Sequence, residues 1–169
     1  MKLWRVPLPT PMGTFLAVFS ERGLAQLDFP GRHPRARPAP RLPALQRRWV
    51  GLTARALACA LQGRAPGRLP PLDESGTAFQ RAVWRALRAI PPGVTRTYAE
   101  VTRLVGRSAG AARAVGQACG ANPIPVLTPC HRVVAAGGRL GGFSGGRAWK
   151  RRLLALEAAG SGPTRLTAR

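Results

Sequence analysis

The chain has 169 residues, and 27 lysines and arginines against six acidic residues give it a formal net charge of +21. Because 45% of its residues are hydrophobic, it can bury a core, which excludes a disordered basic tail. No apolar stretch approaches the roughly 18 residues that cross a membrane, and the charged start is unlike a secretory signal. We expect a folded intracellular protein that binds polyanions, although an arginine-rich composition also partly reflects genome base composition.

The first 71 residues predict a small N-terminal α/β subdomain that ends in a linker. Residues 14–19 and 24–29 are apolar runs bounded by glycine and proline turns, which is typical of strands. Residues 45–61 have apolar positions at helical spacing. The glycine- and proline-rich residues 63–71 then predict a linker between two subdomains.

Residues 72–157 predict a helical C-terminal domain. Capping boxes at residues 77–80 and 97–100 mark the starts of two helices, and a third helix is expected from about residue 109 to residue 119. The second and third of these short helices form a helix-turn-helix candidate. Residues 158–169 contain glycine and proline and are expected to be a flexible tail. The fold class expected is therefore α/β, in two parts.

The third predicted helix combines small side chains with one long cation, Arg113. Two interpretations remain open for it. It is either an alanine-rich packing helix or a smooth face that approaches a nucleic-acid backbone closely. Its small residues are Ala111, Ala112, Ala114, Gly116 and Ala118.

The cysteine content argues against a disulfide framework and against a four-ligand zinc site. Cys59, Cys119 and Cys130 are odd in number and show no CxxC spacing, so we expect no metal. Cys130 lies between two short apolar runs, on what should be a constrained loop. A free thiol is mostly protonated at neutral pH, and a nearby base would raise its reactive fraction.

Glu157 and His131 are candidates to provide that base. Glu157 shares a helical face with Lys150, Leu153 and Leu154, at spacings of seven, four and three residues. A carboxylate on an apolar stripe faces the interior and needs a partner, and His131 is one of only two histidines. A Glu–His–Cys arrangement is the economical pairing, and the glycine-rich residues 141–146 could bring backbone N–H groups close to a ligand.

The sequence contains several distinctive motifs, namely residues 76–80 with 83–84, residues 113–116, Asn122-Pro123, residues 129–133, and residues 144–146 with Lys150, Leu153-Leu154 and Glu157. Taken together, these motifs resemble the O6-alkylguanine-DNA alkyltransferases, the methylated-DNA–protein-cysteine methyltransferases. The resemblance implies direct-reversal DNA repair, in which an alkyl group on O6 of a flipped guanine is transferred irreversibly to the protein's own cysteine. It also implies no cofactor, double-stranded DNA containing O6-alkylguanine as partner, a monomer, and a cytoplasmic, nucleoid-associated location.

The resemblance assigns a chemical role to each of five residues. Cys130 matches the alkyl acceptor, and His131 matches the base that removes its proton through a water molecule. Glu157 matches the carboxylate that orients this histidine. Asn122 matches the hinge residue before the cysteine loop, and Tyr98 matches the tyrosine that bonds the flipped base at N3 and helps to rotate the phosphate.

Further positions match the DNA-contacting and substrate-contacting residues of the family. Arg113 matches the arginine finger that fills the gap left in the duplex. Ala112, Ala114 and Gly116 belong to the same DNA-contacting helix. The substrate pocket would comprise Val133, Phe143, Ser144 and Lys150. The carbonyls of Cys130 and Val133 would accept hydrogen bonds from the guanine amino group, and the hydroxyl of Ser144 would donate near O6.

The chain departs from the family pattern at two places. Phe143 stands where the family commonly has tyrosine. Between Tyr98 and Arg113 there is one residue more than usual, in the turn around residues 108–110, where insertion is tolerated.

Two other functions stay open at this point. An alkyltransferase-like lesion sensor would flip the base without transfer, but such relatives replace the acceptor cysteine, usually with tryptophan. A cysteine hydrolase using Cys130, His131 and Glu157 would give no reason for the positive charge or for the helix-turn-helix.

Overall fold

A computed structural model describes residues 2–32 and 41–160. Its N-terminal part contains a three-stranded antiparallel sheet of β1 (Trp4–Thr10), β2 (Gly13–Phe19) and β3 (Leu24–Asp28), in that order. Strand β1 was not predicted, because Pro7 and Pro9 interrupt its pattern. Proline is tolerated there because β1 is an edge strand and leaves one of its sides unpaired.

Helix α1 (Ala44–Ala60) packs against this sheet, one residue out of step with the predicted bounds. Its buried face includes Trp49 and Leu57, which join Phe15 and Phe19 of β2 in one hydrophobic cluster. The sheet and the helix therefore share one hydrophobic core, built mainly from aromatic and aliphatic side chains.

The end of the predicted linker extends the N-terminal sheet. Leu72 makes a parallel bridge with Leu24, where Leu24 N donates to Pro71 O at 2.8 Å and Asp73 N donates to Leu24 O at 2.8 Å. The hydroxyl of Ser20 also donates to Asp73 Oδ2 at 2.5 Å. The chain therefore leaves the sheet in a fixed position just before Glu74.

The C-terminal part is helical, as expected, and both capping boxes are present, at Thr77 and Thr97. The third predicted helix begins as a 3₁₀ turn over Ala109–Ala111 before it becomes α-helical. The α-helices of the C-terminal part are α2 (Ala78–Arg88), α3 (Tyr98–Leu104), α4 (Ala112–Gly120) and α5 (Arg147–Gly160).

A short parallel strand pair fixes the cysteine loop against α3. Strand β4 (Arg96–Thr97) pairs with β5 (Val133–Val134), which follows the Cys130–Arg132 turn directly. Tyr98, the first residue of α3, follows β4 directly. The pairing therefore places the start of α3 beside the end of the cysteine loop.

A second hydrophobic cluster lies beneath these helices and includes Val83, Trp84 and Leu87 of α2 together with Cys130. The indole of Trp84 donates to Ala118 O at 2.8 Å and so ties α2 to α4.

The mixed α/β architecture confirms the expected fold class, whereas the division between residues 71 and 72 stays a prediction. Among the described residues, no helix is long and apolar enough to cross a membrane.

The first three residues of the predicted tail are helical. Residues 158–160 continue α5, which ends at Gly160, and residues 161–169 lie outside the described part of the chain.

Candidate active site

The thiol of Cys130 is buried on a loop that Asn122 holds in place. Asn122 Nδ2 donates to Thr128 O at 2.8 Å and to Cys130 Sγ at 3.2 Å, while its Oδ1 accepts from Ile124 N at 3.0 Å. The three bonds leave the amide a single orientation, because its oxygen faces a donor and its nitrogen faces a carbonyl. Asn122 therefore both supports the turn and contacts the sulfur.

Burial raises the pKa of the Cys130 thiol to about 11, against the opposing effects of the Asn122 hydrogen bond and the positive charge of Lys150. The thiol is therefore protonated at neutral pH. A thiol is a much weaker nucleophile than a thiolate, so a reaction at this sulfur requires a base that removes the proton.

His131 and Glu157 form the buried pair that the sequence predicts. His131 Nε2 lies 2.8 Å from Glu157 Oε1, and both side chains are buried. Burial lowers the pKa of His131 although Glu157 opposes this effect, which leaves the imidazole neutral and able to accept a proton. Its other ring nitrogen, Nδ1, is buried and has no hydrogen-bond partner within the described residues.

Arg132 completes this pair, and sequence reasoning missed it. Its Nε donates to Glu157 Oε1 at 3.0 Å and to Oε2 at 3.2 Å, and its Nη2 donates to Oε1 at 2.8 Å. The guanidinium also donates to Ile90 O, and Gly93 N donates to Glu157 Oε2 at 3.1 Å. One signal in the sequence could have found it: a buried carboxylate can accept more hydrogen bonds than a single histidine donates, so Glu157 needed a second donor.

These bonds determine the charge of Glu157. Burial alone favours its protonated form, but the hydrogen bonds from His131 and Arg132 outweigh burial and lower the pKa of Glu157 to about 2. The carboxylate is therefore ionised at neutral pH, fixed in orientation, and ready to stabilise positive charge on the imidazole.

Cys130 opens onto a cavity of about 450 Å³, which lies within the usual size range of small-molecule sites. The hydroxyl of Ser144 is buried beside it and has no hydrogen-bond partner among the described residues. Cys119 belongs to the second hydrophobic cluster and also reaches the cavity. The wall consists of Tyr98, Gly116, Cys119, Gly120, Cys130, Gly142, Phe143 and Ser144.

Tyr98 reaches this wall despite the additional residue in the turn that follows it. The ring lies close to two glycines. If each carried a side chain, the Cβ atom at Gly116 would lie 3.7 Å from the tyrosine ring, and the Cβ atom at Gly141 would lie 3.0 Å from the tyrosine hydroxyl. The ring is thus held between α4 and the glycine-rich loop. Burial raises the pKa of Tyr98, so its hydroxyl keeps its proton and can donate.

Val133 and Lys150, which the resemblance places in the substrate pocket, are not among the residues that line this cavity. Lys150 Nζ is buried and donates to Val133 O at 2.6 Å and to Gly142 O at 3.3 Å. Because a lysine ammonium has three donors, it can link both carbonyls at once. Lys150 therefore ties the glycine-rich loop to the strand after Cys130, and Val133 O already has one donor.

Helix α4 lines the cavity on one face and is exposed to solvent on another. Gly116 and Gly120 line the cavity, whereas Arg113 is exposed to solvent in the first turn of the helix. Ala112 and Ala114 beside it are partly exposed. Apart from Arg113, the side chains in this first turn are small, and the same helix forms one wall of the cavity.

Comparisons with known proteins place the chain in a family. The family described as "6-O-methylguanine DNA methyltransferase, DNA binding domain" matches residues 78–159. A methylated-DNA–protein-cysteine methyltransferase of Methanosarcina barkeri is 38% identical over 151 residues, which is 89% of this chain and 94% of the relative. A crystal structure of Mycobacterium tuberculosis OGT in complex with DNA is 35% identical with a TM-score of 0.76, and the match covers 92% of each chain.

The chain belongs to the methylated-DNA–protein-cysteine methyltransferase family. A Mycolicibacterium paratuberculosis protein of that name is 54% identical over 96 residues. This match spans only about half of each protein, 57% of this chain and 57% of the relative.

Proposed function

We propose that this protein repairs DNA by moving an alkyl group from O6 of guanine to the sulfur of Cys130. The observation that carries the proposal is the position of Cys130 in the cavity wall, beside the buried His131–Glu157 pair. The cavity offers a nucleophile, and the pair offers a neutral base with a fixed, ionised carboxylate.

Binding to double-stranded DNA would precede the chemistry. The net charge of +21 favours a polyanion, and α4 presents small residues with Arg113 exposed among them. A base inside a duplex cannot reach a buried sulfur, so the damaged guanine must rotate out of the stack into the cavity. Arg113 then occupies the space that the guanine leaves.

Proton transfer activates the sulfur. The Cys130 thiol proton passes through a water molecule to His131 Nδ1, the ring nitrogen opposite the one that contacts Glu157. Glu157 stabilises the resulting imidazolium, and Arg132 keeps the carboxylate oriented and ionised. Asn122 stabilises the thiolate through its hydrogen bond to Sγ.

The transfer step is an in-line substitution at the alkyl carbon. The sulfur forms a bond to this carbon while the bond from the carbon to O6 breaks, and the electron pair leaves with guanine. The hydroxyl of Tyr98 donates at N3 and that of Ser144 donates near O6, so both stabilise the developing anion. A thioether is not readily displaced, so each molecule reacts once and needs no cofactor.

Phe143 supplies an apolar wall in place of the usual tyrosine. Its ring packs edge-on against Phe29 at a centroid distance of 5.5 Å, which fixes it from the N-terminal side. The hydroxyl contact that a tyrosine would make is absent at this position, whereas the apolar contact with a bound base is retained.

The proposal includes a monomeric protein in the cytoplasm, near the nucleoid. One chain contains the acceptor, the base and the cavity, so a second copy is not needed for the chemistry. The target lesion, O6-alkylguanine in double-stranded DNA, also determines where the protein must act.

Intact-mass analysis after mixing with a duplex that contains O6-methylguanine tests the proposal. We expect a covalent gain of about 14 Da on Cys130, since one methyl group replaces one proton. Binding without a mass change would instead identify a lesion sensor. Turnover of small esters or peptides without a mass change would identify a cysteine hydrolase.

A further inference from the structure

Thr128 lies two residues before Cys130 and organises the loop around the sulfur. Its backbone carbonyl accepts from Asn122 Nδ2 at 2.8 Å and from Cys130 N at 2.8 Å. Its own N–H donates to Ile124 O at 2.9 Å. The position of this carbonyl therefore contributes to the position of the Asn122 amide relative to the sulfur, together with the bond from Ile124 N.

The side chain of Thr128 is completely buried and is held by an ion pair. Arg88 Nη1 donates to Thr128 Oγ1 at 3.0 Å, and Thr128 Oγ1 donates to Glu74 Oε1 at 3.3 Å. Arg88 and Glu74 also pair directly with each other, and their side chains are 22% and 8% exposed. The hydroxyl thus uses both its donor and its acceptor capacity within one closed triangle of contacts.

The three members of this triangle come from distant parts of the sequence. Arg88 is the last residue of α2, and Glu74 follows the Leu72 bridge to the N-terminal sheet by two residues. Neither Glu74 nor Arg88 lines the cavity around Cys130. An ion pair so placed does not contact a base bound in that cavity, but it can fix the residue that orients Asn122.

We propose that Glu74, Arg88 and Thr128 form a positioning clamp that keeps the Asn122 amide on the Cys130 sulfur and thereby sets the reactivity of that sulfur. The inference deepens the proposed function and rests on it, because the clamp acts on the proposed alkyl acceptor. A donor at 3.2 Å from Sγ stabilises the thiolate more than the thiol, and this preference weakens when the amide moves away.

Thr128→Val tests the clamp, because valine keeps the shape of the side chain and removes the hydroxyl. The measurement is the rate at which Cys130 reacts with iodoacetamide between pH 7 and pH 12, a range that includes the thiol pKa of about 11, with the modified residue located by peptide mass. In this reaction the thiolate displaces iodide from the CH₂ carbon, and the thiol proton goes to solvent. We expect about a three- to tenfold slower reaction at pH 7 and a pH–rate curve displaced to higher pH, since a hydrogen bond to a charged group is weakened.

Two further variants separate positioning from a loss of fold. Thr128→Ser keeps the hydroxyl and should restore the wild-type pH–rate curve. Arg88→Met should displace the pH–rate curve as Thr128→Val does. Arg85→Met is the matched control, because it removes the same charge from an exposed position of α2, and it should leave the curve in place. A purely structural role would lower the thermal unfolding midpoint and leave the pH–rate curve in place, and that result would overturn the clamp.

Parallel reactions with O6-benzylguanine distinguish failure of the clamp from failure of the proposed function. Iodoacetamide needs no guanine recognition, so it reports the reactivity of the sulfur alone. A wild-type protein that reacts with iodoacetamide but never with O6-benzylguanine or alkylated DNA would contradict the function and leave the clamp measurable. An unchanged pH–rate curve in Thr128→Val, with alkyl transfer intact in the wild type, would contradict only the clamp.

Discussion

The N-terminal and C-terminal parts of the molecule bury different kinds of side chain. Among the described residues, the buried polar groups of the N-terminal part are uncharged: Ser20, Gln46 and Thr53. The C-terminal part buries ionisable groups, namely Cys119, Cys130, His131, Arg132, Lys150 and Glu157. Because buried charges cost free energy unless they are paired, their concentration in one part indicates a site whose chemistry needs them.

The two parts nevertheless share a boundary at the site. Ile124, Val126 and Leu127 precede the cysteine loop, yet they pack in the hydrophobic cluster of the N-terminal sheet. Leu153 joins the same cluster from α5, between Lys150 and Glu157. The N-terminal hydrophobic cluster therefore supports the loop and the helix that carry the ionisable groups. We expect substitutions in the two parts to affect stability and alkyl transfer differently.

Cys130→Ser should have the largest effect and abolish alkyl transfer. A serine hydroxyl is a far weaker nucleophile at neutral pH, whereas the side chain contributes little contact area to DNA. We expect no mass gain with O6-methylguanine duplex and nearly unchanged duplex affinity. Normal transfer by the variant would show that another residue is the acceptor. Cys119, which also lines the cavity, would be tested next.

Glu157→Gln should slow transfer about a hundredfold and leave DNA binding nearly unchanged, in the range of general acid–base effects. The amide can still bond to His131, but it cannot stabilise an imidazolium as a carboxylate does. Single-turnover rates on duplex substrate measure the effect, and circular dichroism confirms the fold. An unchanged rate in a folded variant would remove Glu157 from the site.

The sequence predicts those parts of the site that local patterns encode. The capping boxes at Thr77 and Thr97 need only four consecutive residues, and the inward face of Glu157 follows from spacing within one helix. The contact of Glu74 with Thr128 joins residues 54 positions apart, and no periodicity predicts such a pair. Arg132 was missed for a related reason, since adjacency to His131 does not reveal that both side chains reach the same carboxylate.

Arg113→Ala should slow transfer on duplex DNA about tenfold and leave the rate with free O6-benzylguanine unchanged. A side chain inserted into the vacated stack offsets part of the few kcal/mol that base flipping costs, and a free base has no stack to leave. Arg55→Ala, which removes the same charge from an exposed position of α1, should not discriminate between the two substrates. Equal losses on both substrates in Arg113→Ala would mean that Arg113 supports the pocket or the fold.

Acid should destabilise the C-terminal site through Glu157. Its pKa is about 2 in the folded protein against an ordinary value of 4.5, so the unfolded chain binds more protons between these values. This contribution to stability is fully present above about pH 4.5 and is lost as the pH falls towards 2.

Urea unfolding at a series of pH values below 5 measures this loss. In Glu157→Gln the dependence of unfolding free energy on pH should be shallower by up to about one proton. Glu21→Gln is the matched control, because it removes a carboxylate from an exposed turn. A slope in Glu157→Gln that equals the wild-type slope would show that the carboxylate is not held in its ionised form.

Two leucines that are equally buried allow the sharpest comparison of the two parts. Leu57 lies in the N-terminal hydrophobic cluster and Leu87 lies in the cluster that contains Cys130, and both are 0% exposed. Truncation to alanine should lower the free energy of unfolding in each case by about 2–5 kcal/mol, which is the usual cost of a buried leucine.

The expected effects of the two truncations on chemistry differ. Leu87→Ala leaves a cavity in the cluster that includes Cys130, so the cysteine loop can shift and transfer should slow. Leu57→Ala leaves its cavity between α1 and the N-terminal sheet, so the rate per active molecule should stay at the wild-type value. Single-turnover rates with O6-benzylguanine, normalised to the titrated active fraction at a temperature where both variants are folded, measure the difference. If Leu57→Ala slows transfer as much as Leu87→Ala does, the N-terminal core positions the reactive groups directly, and its role extends beyond the support of the loop that carries them.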